Sequence, residues 1–177
     1  LIANTTSAAT KSLGEIEMPG ISSDDLGSMV ESVTKGAIAG LGEVSESDSS
    51  LNLSDLVSEV SSSATESLGE IEMPGFSAEN LSEMLESVSK GASEGLEDIE
   101  TTDANVKLAF LEKIQEGTTK ALDDIVMPGF DPEEQKEELE KKIKKGTSSG
   151  FTSLLNKLDV AKIINITTDN ESSVEGN

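Results

Sequence analysis

Apolar residues recur along the chain at helical spacing. Between residues 53 and 71 they fall at Leu53, Leu56, Val57, Val60, Ala64, Leu68 and Ile71, in steps of mostly three and four. That spacing places them on one side of a helix with 3.6 residues per turn. A second stripe runs through Leu81, Met84, Leu85, Val88, Ala92, Leu96 and Ile99, and Leu26, Met29, Val30, Val33, Ala37, Leu41 and Val44 repeat it 55 residues earlier. The pattern predicts amphipathic helices of about 18 to 20 residues, each about 28 Å long.

Conspicuous punctuation separates the stripes. Ser12 to Ile21 reads SLGEIEMPGI, Ser67 to Phe76 reads SLGEIEMPGF, and Ala121 to Phe130 reads ALDDIVMPGF. Pro19, Pro74 and Pro128 have no N–H and force the preceding Met into extended conformations, which ends a helix. Gly20, Gly75 and Gly129 can take the positive φ of a tight reversal. Helix-start chemistry follows: Ser22 with Asp25 forms a capping box, Ser77 is an N-cap, and Asp131 precedes Pro132. Ile21 and Leu26, like Phe76 and Leu81, have the spacing of a hydrophobic staple, whereas Gln135 takes the Leu place after Phe130. Ile21, Phe76 and Phe130 therefore either staple the turn or, if exposed, offer a row of contact points.

Two helices joined by a few residues lie antiparallel. The predicted fold is all-α: three tandem antiparallel helical hairpins with a 55-residue repeat, stacked as a short solenoid or bundle. The expected units are residues 1–46, with a short first helix, 47–101 and 102–166, followed by a disordered tail at 167–177. Acidic stretches at 42–50 and 97–103 read as connectors.

One feature conflicts with helix propensity. Gly36 and Gly40, Gly91 and Gly95, and Gly146 and Gly150 make a Gly-x-x-x-Gly step inside each second helix. Every such glycine costs about 1 kcal/mol relative to Ala. Close packing against the facing helix or the next hairpin is the expected compensation, and a helix break is the alternative.

Composition removes most other functions. The 177 residues hold 35 Asp and Glu against 13 Lys, with no His or Cys, and a net charge of −22. Zinc, haem and iron–sulfur ligand sets, disulfides and Ser-His or Cys-His pairs are excluded, and no cofactor is expected. Such a chain repels phosphate backbones, so nucleic acid is not an expected partner. No run of about 18 apolar residues predicts a transmembrane segment. Lack of Cys and of an initiator Met suggests a processed protein that is extracellular or in the cell envelope. Residues 1–100 carry net −17 and residues 101–177 net −5, an asymmetry that reads either as drift on a solvated surface or as a means of steering head-to-tail association.

Two chemical motifs remain. Ser32-Val-Thr-Lys35 and Ser87-Val-Ser-Lys90 match Ser-x-x-Lys, which needs an unprotonated Lys. Neighbouring carboxylates favour the protonated form, and the third hairpin has Lys142 in place of the Ser, so no enzyme is expected. Glu15 and Glu17, matched by Glu70 and Glu72, could attract divalent cations, but no Ca²⁺ loop surrounds them. The leading expectation is a non-catalytic structural, scaffold or self-assembling subunit that pairs with itself head to tail or with another protein. The runner-up is a binding module holding an apolar ligand or a partner helix between its hairpins.

Overall fold

A computed structural model describes the chain at residues 1–15, 20–47, 52–71, 76–99 and 104–171. Among these the regular structure is helical: α1 (Ile2–Gly14), α2 (Ser23–Ser47), α3 (Leu53–Leu68), α4 (Ala78–Gly95), α5 (Ala104–Ala121) and α6 (Lys136–Glu171). Single 3-10 turns at Leu96–Asp98 and Leu122–Asp124 close α4 and α5.

The helices pack in two rows. In one, α3 lies between α1 and α5; in the other, α4 lies between α2 and α6. Two apolar clusters join the rows and fix the helix directions. Leu26, Val30, Leu81, Leu85, Leu139 and Ile143, from the first halves of α2, α4 and α6, meet Ala64, Leu68 and Leu122 from the ends of α3 and α5. Ile38, Leu41, Ala92 and Leu96, from the later parts of α2 and α4, meet Ala3, Val57, Val60 and Ile114 from α1, α3 and α5. First helices therefore run opposite to second helices, as the antiparallel hairpin reading requires.

A chain only 34% apolar still closes a core, because small hydroxyl residues serve as core residues. Thr34, Ser61, Thr65, Ser93 and Thr147 are buried. Each donates its hydroxyl to the carbonyl four residues back, at 2.8–2.9 Å. Such a bond avoids the roughly 1–3 kcal/mol cost of an unpaired buried group, and the small side chain lets helix axes approach.

The helix starts use the expected caps. Ser22 Oγ accepts from the Asp25 N–H at 3.2 Å while Asp25 accepts from the Ser22 N–H at 3.0 Å. The Ser22 hydroxyl, donating to the Asp25 carboxylate at 2.6 Å, and then the Ser22 N–H hold the Asp25 carboxyl below its ordinary pKa. Ser77 and Asn80 form the same box before α4. Asp131 accepts from the N–H groups of Glu133 and Glu134 at 3.0 and 3.1 Å, but turn geometry persists to Gln135, and α6 begins at Lys136. Where Leu26 and Leu81 are fully buried, Lys136 is exposed; no apolar anchor pulls the first turn of α6 onto the core.

Two boundaries differ from expectation. α2 continues to Ser47, through much of the segment read as a connector. That segment contains no proline, and Gly42 sits directly against the Asp98 carbonyl, so packing carries the helix on. α6 continues to Glu171, into the stretch read as a disordered tail.

Pro19, Pro74 and Gly75 lie outside the described residues. Gly20 has φ +94° and Gly129 φ +79°, and no other described residue has positive φ. The Phe130 N–H donates to the Met127 carbonyl at 3.1 Å, which closes a turn with Pro128 and Gly129 at its centre. Ile21 and Phe76 are partly buried against the first cluster, and Phe130 belongs to it. All three turn toward the core and do not form an exposed row.

Gly129→Ala isolates the backbone term, because a Cβ there meets no atom within 4 Å. Left-handed geometry should lower stability by about 1–2 kcal/mol, read as a drop in the urea midpoint at unchanged slope.

Candidate functional site

The side-chain pattern that distinguishes this chain is the seam between neighbouring second helices. A Cβ added at Gly91 would collide with the Glu31 carbonyl of α2, and one at Gly95 would lie 2.6 Å from the Lys35 carbonyl oxygen. The next seam repeats this. Gly146 abuts the Glu86 carbonyl of α4, and a Cβ at Gly150 would lie 2.5 Å from the Lys90 carbonyl oxygen. In both seams the obstructing atoms are backbone, which cannot swing aside. Only glycine permits these approaches, which accounts for residues that helix propensity disfavours.

Gly36 and Gly40 of α2 differ. A Cβ at either would meet nothing within 4 Å. Close packing, expected of all three pairs, is seen at Gly91, Gly95, Gly146 and Gly150; among the described residues none packs against Gly36 or Gly40. The other row carries one such contact that the sequence pattern did not single out. Gly117 of α5 abuts the Ser58 carbonyl of α3; a glycine deep inside an apolar-periodic segment was its only signal.

Ion pairs flank the seams. Lys90 Nζ lies 2.8 Å from Glu31, Lys35 Nζ 3.1 Å from Glu94, and Lys145 Nζ 2.8 Å from Glu86. Each spans 59 residues. Their side chains are partly exposed, so each is worth at most about 1 kcal/mol and sets register more than stability. Lys11 pairs with Glu70 between α1 and α3.

These pairs bear directly on the Ser-x-x-Lys motif. The hydrogen bond from Glu31 raises the Lys90 pKa above its ordinary value, opposite to the shift a general base needs. Ser32 Oγ donates to the Ser28 carbonyl at 2.9 Å, bound to its own helix. At Lys107 burial outweighs the neighbouring Glu97 charge and lowers the pKa below its ordinary value. Its Nζ donates to the Leu96 carbonyl at 3.2 Å, which satisfies the end of α4. Among the described residues no group of three or more acidic, His or Cys side chains could hold a metal ion, and no helix is long and apolar enough to cross a membrane.

The ends of the two rows are unlike. Along α2 the outward line is Met29, Val33, Ala37 and Val44, with Val44 38% exposed and the other three partly buried. Their counterparts, Met84, Val88 and Ala92 in α4 and Ile99 just past the turn that closes it, are all at or below 3% exposure. Ser28, Ser32 and Ala39 flank this line, and Thr5, Ala8 and Ser12 line the outward side of α1. No charged residue is among them; Glu31 and Lys35 turn inward to their partners on α4. At the other end, Lys136, Glu140, Lys144 and Ser148 of α6 stand where Leu26, Val30, Thr34 and Ile38 stand in α2. That face is a charged cap.

Grooves open between the helices. One of about 250 Å³, near the start of α1, is lined by Leu1, Ile2, Leu41, Val44, Leu56 and Val60. Another, about 300 Å³, lies between the starts of α4 and α6 and is lined by Glu79, Ser82, Glu83, Gln135, Glu138 and Lys142. The polar groove lies beside Gln135, where the staple leucine is replaced.

Substitution at the seams should give opposite signs for one chemical change. Gly91→Ala gains about 1 kcal/mol of helix propensity but overpacks against backbone at about 1–3 kcal/mol, so its thermal midpoint should fall. Gly36→Ala meets no obstruction, and its midpoint should rise by a few degrees. The Lys90 pair has a defined pH window. A raised folded pKa means its contribution is fully present below 10.5 and is lost as pH climbs through the higher folded value. The gap in unfolding free energy between parent and Lys90→Met should therefore stay constant up to pH 10.5 and close above it. No protein-family model, curated protein or solved structure matches this chain.

Proposed function

We propose that this chain is a non-catalytic structural or scaffold subunit that assembles through the end faces of its helix rows, with itself or with another protein. The observation that carries the reading is the outward face of α2. It has the glycine spacing of α4 and α6, and among the described residues nothing lies within 4 Å of a Cβ placed at Gly36 or Gly40. In a repeat array each unit is completed by its neighbour, and an uncovered unit seeks one. The charge difference between the two halves makes head-to-tail joining one route to assembly. Lysines held in ion pairs support the non-catalytic part of the reading. An extracellular or envelope location rests on composition alone.

A second reading is favoured by one feature. The groove bounded by Leu1, Ile2, Leu41 and Val44 is apolar enough to hold a small hydrophobic ligand.

Native mass spectrometry of material from its source separates the two. Complexes with protein chains are expected under the scaffold reading. Monomer carrying a retained small molecule would replace it with the ligand reading.

A further inference from the structure

We propose that the groove between the starts of α4 and α6 binds a small organic dication of the alkyl diamine class, its two ammonium groups shared between the carboxylates of Glu79 and Glu83 on one wall and Glu138 on the other. This site is independent of any assembly through the row ends.

The groove, about 300 Å³, differs from the preceding seam by two exchanges. Between α2 and α4, Gly27 and Ser87 hold the places that Ser82 and Lys142 take 55 residues later. A Cβ at Gly27 would lie only 3.1 Å from the Ser87 Oγ, so the earlier seam is tight at this point. Between α4 and α6 both residues are larger, and the late start of α6 at Lys136 leaves Gln135 beside the opening.

Its polar groups lack partners. Buried hydroxyls such as those of Thr34 and Ser61 return a hydrogen bond to the carbonyl four residues back. Ser82, on the α4 face that lines the groove, is only 9% exposed, and its Oγ has no hydrogen-bond partner. A buried hydroxyl in that state carries a cost that a donor on a ligand would remove. Glu79, Glu83 and Glu138 stand exposed around it. Among the described residues no lysine pairs with these three, and Lys142 pairs with no carboxylate, whereas Lys11, Lys35, Lys90 and Lys145 all have partners.

Three carboxylates and one ammonium leave the groove at net −2. No described group of three acidic side chains is placed to hold a metal ion, so a compact divalent ion does not suit the spacing. A dication whose charges are separated by methylenes does. Its ammonium groups donate to carboxylates on both walls and to the Ser82 Oγ, and its methylenes lie along Ala78 and the buried Leu139.

Calorimetric titration of the full chain with putrescine at fixed ionic strength tests this. One saturable site per chain is expected, and butylamine, with a single ammonium, should bind about tenfold more weakly or less. Glu83→Gln and Glu138→Gln should each weaken putrescine about threefold or more, and Ser82→Ala about tenfold. Glu112→Gln on α5 makes the same charge change outside the groove and should leave the affinity unaltered. Thermal midpoints verify the fold: unchanged in the two groove Gln variants, and raised in Ser82→Ala, which deletes an unpartnered hydroxyl. Loss of binding alongside a gain in stability is an outcome that a merely structural Ser82 would not produce.

Four results would overturn the site: no saturable binding, butylamine or Mg²⁺ matching putrescine, an affinity that Glu112→Gln lowers as much as Glu83→Gln does, or full affinity in Ser82→Ala. The second and third would reduce the effect to counterions gathered by a chain of net charge −22. None of them bears on the scaffold reading, which rests on protein complexes in native material.

Discussion

Close approach between α2, α4 and α6 is the constraint on which the rest depends. Backbone touches backbone where Gly91 and Gly95 meet α2 and where Gly146 and Gly150 meet α4. Four glycines inside helices forgo about 4 kcal/mol of helix propensity. The return is close contact along whole helix faces, collected as many small dispersion terms. With four Phe as the only aromatic residues, the chain has few large side chains with which to fill a wider gap. Short interhelical distance substitutes for bulk.

The hydroxyl residues answer to the same constraint. Thr34, Ser61, Thr65 and Thr147 are small enough for narrow gaps, and each returns its hydrogen bond to its own helix. A leucine at those places would need more room than the glycine seams leave. Ion pairs such as Lys90 with Glu31 and Lys145 with Glu86 then fix how one helix slides along the next. The same short motif, a Lys followed by a Gly, supplies both the contact and its register.

Equivalent positions acquire different roles from their place in the row. Val88 is completely buried while Val33 remains partly open, and Gly91 is buried while Gly36 is exposed. The third hairpin has changed its residues to suit its place, with Lys136, Glu140 and Lys144 facing outward, whereas the first keeps the apolar pattern of an interior unit.

Much of this was legible before any coordinates. Steps of three and four fixed the helices, Pro128 and Gly129 the reversal, and Ser22 with Asp25 the start of α2, because each depends on chemistry within a few residues. The seam glycines were visible as an anomaly. Their partners were not: nothing in the Gly-x-x-x-Gly step itself says that Gly91 rests on Glu31 while Gly36 rests on nothing, since the three copies read alike. Gly117 against Ser58, Lys107 on the Leu96 carbonyl, and the run of α2 past Gly42 were likewise decided by residues distant in sequence. Local periodicity determines which face of a helix is apolar; only the arrangement of neighbours determines whether that face is covered, because burial belongs to pairs of helices and not to one.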